Sequence, residues 1–333
     1  MANIVKAGFE LIKQNGVKDA LKHIEKIGRV CYKSEDKISE GTDKKFFNMI
    51  KGNKHTAMFE HANVVFAVVE KLYDKIIDYR DERGNTFFKC TKHLVPGESV
   101  PRCLVSANIR TINNAGFHEL LNALYDTEPQ LVYDEDFKPF DGLIEELYCV
   151  VIDDLYSLKN LSDEEMAMHT YASIKFTCDR GVTHELVRHR PVSFAQESTR
   201  YCNYSKDKFG NSIAVIDIQK GVELNLKVQS MLKDGLITQD QIQDFVEEWE
   251  RAVEDAEKHY FNLLNIINAP ELARSVLPTS TKAEIIMTCN IAEWEWIAGL
   301  RTDKPAHPQM REVMIPAIEV LKFAFPEYFR LNK

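Results

Sequence analysis

The sequence lacks any CxxC pair: its seven cysteines, Cys31, Cys90, Cys103, Cys149, Cys178, Cys202 and Cys289, are odd in number and dispersed. That pattern argues against a disulfide framework and against a zinc site, so no metal is expected. It also lacks an uninterrupted apolar run of roughly eighteen residues, so no membrane span is expected. The opening MANIVKAGFELIKQNG has no basic, apolar, small-residue progression, and a cytoplasmic protein is the expectation. No repeat or low-complexity tract is visible. Positive charge is in deficit, with 42 Lys and Arg against 51 Asp and Glu, a formal charge of −9. Proteins that hold duplex nucleic acid through its phosphates carry a basic stripe or domain, so a nucleic-acid partner is not expected.

What is present is a soluble globular profile, 333 residues with 44% hydrophobic and 28% charged side chains. That length suffices for one large domain or two ordinary ones. Residues 16–32 space Val17, Leu21, Ile24 and Ile27 at helical intervals, and 42–54 follow as a second helix with Thr42 as its N-cap. ANVVFAVVE (62–70) reads as a strand. Residues from about 71 to 165 look like a separate lobe or insertion, with turns at Pro96-Gly97-Glu98 and Pro101 and the acidic YDEDFKPFDG. YASIKFTCD (171–179) is a strand, and RGVTHELVRHR is a helix that stops at Pro191. A short strand at 212–219, a long helix over 238–268, an ambiguous 281–290 and two terminal helices complete a helix-rich α+β reading.

Against the acidic background, RHRPVSFAQESTRY (188–201) stands out with three arginines, a histidine, two serines and a glutamine. Arg188, His189 and Arg190 have a plain explanation as cations at a helix C-terminus. Glu185 and His184 sit three and four residues before Arg188, on neighbouring helix faces. The continuation is different: Ser193, Gln196, Ser198 and Arg200 are hydroxyl, amide and guanidinium groups of the kind that coordinate phosphate. The Gln196 amide can pair with the carbonyl–imide edge of a pyrimidine or a flavin. A phosphate-bearing heterocycle is a reasonable ligand. Cys202 could be an activated nucleophile or an incidental cysteine, and the second is commoner. Ser198 has no base assigned to it, so phosphate binding suits it better than nucleophilic attack.

RHRPVSFAQESTRY resembles the signature of the flavin-dependent thymidylate synthases (the ThyX family), RHRxxSxxxxSxR, with every fixed position filled by Arg188, His189, Arg190, Ser193, Ser198 and Arg200. Other segments agree, in the family's order. RVCYKSE (29–35) resembles its early flavin-contacting segment, with Cys31 in that place. KHTAMFEH (54–61) resembles its histidine-bearing turn and Glu-His pair, giving His55, Glu60 and His61. APELARSVLP (269–278) resembles the segment with a phosphate-binding arginine, here Arg274. MTCN…GLRTDKPAH (287–307) resembles the block with a flavin-contacting asparagine, here Asn290, and a substrate-activating arginine, here Arg301. Departures are Ala195 in the signature, Ala57, Gln309, and Ala292 and Trp296, which stand where an arginine and an asparagine can contact FAD. The resemblance covers roughly 1–70 and 166–325 and says nothing of the segment between.

The resemblance implies a ThyX-like α+β fold, a central sheet flanked by helices, in a single catalytic domain over 1–333 with residues of about 71–165 inserted. It implies reductive methylation of dUMP to dTMP, with methylenetetrahydrofolate as carbon donor, FAD as cofactor and NADPH as reductant. Arg301 would stabilise charge on the pyrimidine ring as its C5 forms the new bond. Glu185, Arg188, Gln196, Ser198, Arg200 and Arg274 would join it in binding dUMP. Cys31, His55, Arg188, His189, Arg190 and Asn290 would bind FAD. The family's sites form between subunits of a homotetramer, so Arg274 would serve a neighbour. Two alternatives remain at this level: a related pyrimidine-nucleotide hydroxymethylase, and a flavin- or nucleotide-binding homologue without turnover.

Overall fold

The computed structural model describes residues 2–92, 102–139, 149–155, 158, 161–200, 203–206, 210–327 and 329. Cys202 and the turns expected at Pro96–Glu98 and Pro101 lie outside the described residues. The chain opens with β1 (Asn3–Val5) and β2 (Gly8–Ile12), and a 3-10 turn leads into α1 (Ala20–Tyr32). On α1, Leu21, Ile24, Ile27 and Val30 recur every three residues and are all buried. Gly28 faces α2 (Thr42–Gly52) at such close approach that a Cβ would come within 2.6 Å of the Phe46 ring. Thr42, expected as the cap of α2, lies inside the helix: Gly41 takes the cap position, and the threonine hydroxyl turns to Ser39 and Glu25.

A 3-10 turn over Thr56–His61 enters β3 (Asn63–Val69), followed by α3 (Glu70–Ile77), β4 (Lys89–Thr91), β5 (Arg102–Asn108), α4 (Ile109–Ala115), α5 (His118–Thr127) and β6 (Cys149–Val151). A Ser162–Glu165 capping box starts α6 (Asp163–His169), which leads to β7 (Tyr171–Asp179) and α7 (Arg180–Leu186). Then come β8 (Ser193–Gln196), β9 (Ala214–Ile216), α8 (Gln219–Leu224), α9 (Leu226–Lys233), α10 (Gln239–Ile266), α11 (Pro270–Ala273), β10 (Lys282–Asn290), α12 (Ile291–Arg301) and α13 (Pro308–Ala324). On the long α10, Val246, Val253, Glu257, Tyr260 and Leu264 form the buried stripe. The mixed helix-and-sheet class is as expected.

Among the described residues the sheet is divided into two four-stranded antiparallel sheets, ordered β6-β3-β5-β4 and β2-β7-β10-β8, beside the parallel pair β1-β9. Strands β4, β5 and β6, from the segment between the family-like stretches, pair around β3. Each sheet backs onto its own apolar cluster: Phe47, Phe59 and Phe66 mark one, Phe176, Trp294 and Met310 the other. Burying side chains of this size contributes about 1.5–3 kcal/mol each.

The two sheets repeat one another, which corrects the reading of a chain without repeats. In β3–β5 the register sets Asn63 opposite Asn108; in β7–β10 it sets Tyr171 opposite Asn290. Both asparagines cap the helix that follows: Asn108 accepts from the Thr111 amide and Asn290 from the Glu293 amide. The Ile109 amide donates to the Ala62 carbonyl at 2.9 Å, and the Ile291 amide to the Thr170 carbonyl at 2.9 Å. A histidine precedes each first strand by two residues. His61 Nδ1 lies 2.7 Å from Thr288 Oγ1, and His169 Nδ1 lies 2.8 Å from Ser106 Oγ. Thr288 and Ser106 each stand two residues before the capping asparagine. Each half therefore reaches into the other by the same contact, the reciprocal exchange of a two-fold axis, here inside one chain.

Candidate active site

The middle of the signature segment, Ser193–Gln196, is a strand rather than a loop. Helix α7 starts at Asp179, whose side chain accepts from the Val182 amide at 2.6 Å, and it ends at Leu186. Beyond it the Arg188 and His189 amides bond three residues back, to the Glu185 and Leu186 carbonyls, tightening the last turn. Arg188, His189 and Arg190 thus lie in a turn past the helix rather than on its final turn. Pro191 keeps the preceding residue out of helical backbone, and β8 starts two residues later at Ser193. Ser193 to Gln196 then pair with Thr288 to Ile285 of β10. Ala195, the departure inside the signature, is buried in a cluster with Ile27, Val30 and Ile286, where a polar side chain would have no partner.

The one acidic side chain of the signature is also buried. Glu197 accepts from Lys282 at 3.0 Å and lies 3.5 Å from Lys33, while Glu284 lies 2.8 Å from Lys282 and 2.6 Å from Lys33. Burial works against the charge of Glu284, but the two lysines outweigh it and hold the carboxyl down at about 2. Lys33 reaches this cluster from a left-handed residue (φ 48°) that closes α1. Two pairs of opposite charges therefore fix the far end of β8 to α1 and β10.

Arg301, at the end of α12, is held by three bonds. Its Nη1 donates to Glu185 Oε2, its Nη2 to the Glu185 carbonyl and its Nε to His189 Nε2, each at 3.0 Å. A guanidinium keeps its protons, so His189 must accept at Nε2 and carry its own proton on Nδ1. Burial and the Arg301 charge both lower the His189 pKa, which keeps the ring neutral. Among the described residues three of its five guanidinium N–H groups are engaged, leaving one on each terminal nitrogen for a ligand. Gln196 Nε2 donates to Thr183 Oγ1 at 3.1 Å, two residues before Glu185 on α7. Farther on, Arg274 Nη1 donates to Thr199 Oγ1 at 3.1 Å, between Ser198 and the exposed Arg200. Thr183, Thr199 and Glu197 went unremarked in the sequence; only their places beside signature residues could have marked them.

At the other end of β8, Arg190 and Ser193 line a cavity of about 670 Å³ that also receives Tyr171 and Asn290. Its opposite wall comes from Tyr79 to Lys89 and Asn108 to Asn114, in the segment between the family-like stretches. Of the residues assigned to FAD, Arg190 and Asn290 line this cavity; Cys31, His55, Arg188 and His189 do not. The Cys31 thiol contacts Met58 Sδ at 3.8 Å, and burial raises its pKa to about 11, so it is a packed thiol. The His55 Nδ1 lies 2.5 Å from the Tyr32 hydroxyl. Arg188 is exposed. No group of three or more potential metal ligands occurs among the described residues, and none of their helices is long and apolar enough to cross a membrane.

The family model described as "Thymidylate synthase complementing protein" matches residues 10–71 and 150–327. Similar relatives are the flavin-dependent thymidylate synthases of Corynebacterium efficiens, 29% identical over 45% of this chain and 56% of the relative, and Pyrococcus furiosus, 30% identical over 43% and 50%. That of Mycobacteroides abscessus is 27% identical over 48% of this chain and 61% of the relative. The chain spans about half the length of the curated relatives it matches. The matched stretches carry β8 and its pairing strand β10, the three-bonded arginine and the arginine beside Thr199. With the signature complete and more than half of the chain matched, this protein belongs to the thymidylate synthase complementing protein family.

Proposed function

We propose that the chain is a flavin-dependent thymidylate synthase, converting dUMP to dTMP with methylenetetrahydrofolate as carbon donor, FAD as cofactor and NADPH as reductant. The observation that carries this reading is the fixed guanidinium of Arg301, braced by Glu185 and neutral His189 with two donors to spare. A pyrimidine edge set against those donors would have its developing negative charge stabilised where it forms, with no proton transfer needed. Gln196, aligned on Thr183, would read the remaining polar edge. Ser198 and Arg200 would hold the phosphate, with Arg274 serving a neighbour's nucleotide as the resemblance implies.

A flavin fits the cavity at the other end of β8. Its volume is within the roughly 300–1,000 Å³ of cofactor sites, and Tyr79, Phe87 and Tyr171 offer aromatic faces beside the Arg190 cation. Reduced flavin supplies the hydride when bound; the chain's part is to hold ring and phosphates and exclude water. The wider assignment of Cys31, His55, Arg188 and His189 to FAD follows the resemblance, as does a homotetramer with shared sites. The 1–333 chain is read as one catalytic unit that includes the 71–165 segment.

The test is a visible spectrum of the purified protein, then incubation with dUMP, methylenetetrahydrofolate and NADPH and mass analysis of the nucleotide. Yellow protein and a product 14 mass units heavier than dUMP, the ~14 Da of one added CH₂, are expected. A hydroxymethylated nucleotide, or bound flavin without any product, would refute the reading.

A further inference from the structure

We infer that the stretches Tyr79 to Lys89 and Asn108 to Asn114 form the second wall of the flavin site, with Arg110 and Asn114 as ligand-binding residues contributed by the first repeat. The inference rests on the flavin reading above and assigns a role to residues the family model leaves unmatched, since the match breaks between 71 and 150.

The cavity lies on the internal two-fold axis. Residues at equivalent places in the two halves line it together: Asn63 with Tyr171, Asn108 with Asn290, Thr111 with Glu293. Lys89 and Ser193 make a fourth pair, because they stand opposite Ser106 and Thr288 in their respective sheets. On the helices that follow the capping asparagines, the equivalence fails at two positions. Counted from the capping asparagine, Arg110 corresponds to Ala292 and Asn114 to Trp296. Arg110 and Asn114 line the cavity; Ala292 and Trp296 do not, and Trp296 is 65% exposed on the outer surface. The arginine and asparagine missing from the second repeat are thus present in the first, and they face the shared space.

The chemistry of that wall suits a phosphorylated planar heterocycle. Arg110 pairs with Glu60, half-exposed, so its guanidinium is oriented yet open to a ligand. Arg83 and Lys89 add cations across from Arg190, while Tyr79 and Phe87 provide faces for a ring. Both walls come from one chain, so each chain carries one such cavity on its axis.

The test titrates FAD into flavin-stripped protein, following flavin absorbance and fluorescence, for wild type, Arg110→Ala, Arg110→Lys, Asn114→Ala and Trp296→Ala. Loss of a charge-assisted contact predicts binding weakened about tenfold or more for Arg110→Ala, partly regained in Arg110→Lys, and about threefold or more for Asn114→Ala. Trp296→Ala, the equivalent position on the outer surface, should bind within about twofold of wild type. Unfolding midpoints measured without flavin check that the variants fold; Asn114, exposed, is the variant expected to fold unchanged. Wild-type affinity in both Arg110→Ala and Asn114→Ala would overturn the inference while leaving the flavin reading intact. Equal weakening by Trp296→Ala would overturn it as well. A wild-type protein that binds no FAD would remove the flavin reading first, before any variant is compared.

Discussion

The half built on β3 and β5 and the half built on β7 and β10 share a register, a capping asparagine and a histidine clasp, yet differ in what they carry. The second half holds the signature strand β8 and the braced Arg301. The first has the short β4 in the place of β8, with Lys89 where Ser193 stands, and keeps Arg110 and Asn114 where the second has alanine and tryptophan. The shared parts are those that build a strand-to-helix junction; the differing parts are those that face the cavity or the nucleotide groove. A scaffold repeated twice has been given two unlike sets of side chains. The two halves differ in these side chains while keeping the hydrogen bonds that hold the frame.

The sharpest way to break this comparison is to separate nucleotide chemistry from flavin binding. Arg301→Ala in the second half should lower the rate of dTMP formation by about 10²–10³, the usual loss for one charge-stabilising donor. FAD affinity should stay within about twofold, the opposite split from Arg110→Ala. Comparable losses of rate and FAD affinity in Arg301→Ala would mean that the two halves do not divide the work.

A smaller effect tests the clasp. His61→Ala and His169→Ala should each destabilise the protein by about 1–3 kcal/mol, because each removes a buried ring and one hydrogen bond of a buried hydroxyl, leaving Thr288 with Ser173 and Ser106 with Tyr171. Urea unfolding would measure both, and similar values are expected from the equivalent positions. A loss for one and none for the other would show that the repeat is geometric without being energetic.

The smallest effect is a slope with pH. Burial lowers His61 to about 3 and His23 and His169 to about 4, against an ordinary 6.5. The unfolded chain therefore takes up protons first as pH falls. Stability from these rings is full above about 6.5 and is lost progressively toward pH 4. Unfolding free energy should decline over that window, and His61→Ala should flatten the decline. An unchanged slope would remove His61 from the account.

Much of the frame was legible in the sequence. Regular apolar spacing gave α1 and alternation gave β7, because those patterns follow directly from 3.6- and two-residue periods, while the β-branched run Val64–Val69 gave β3. Residues 281–290 stayed ambiguous because their apolar run, Ile285 to Met287, is too short to separate strand from helix; pairing with β7 and β8 settles it. The helix before Pro191 was read too long, since the tightening at Leu186 depends on backbone bonds that no residue type announces. The repeat was hidden for another reason. HANVVFAVV and HTYASIKFT share little beyond the histidine, and CLVSANI and IIMTCNI share a hydroxyl and Asn-Ile. Register constrains a few positions and leaves the rest free among apolar residues. The signature itself was plain, but the cavity's second wall was not, because nothing in the segment around Arg110 signals that it folds back onto β8.

The internal two-fold axis has a genetic consequence. In a pair of identical subunits every substitution arrives twice, once on each side of the axis, and a gain on one side must be tolerated on the other. Here both sides are encoded separately. A tryptophan can be placed outside one helix while an asparagine is kept inside the other, and each change is inherited alone. Joining two like halves in one chain lets an axial site become lopsided one mutation at a time.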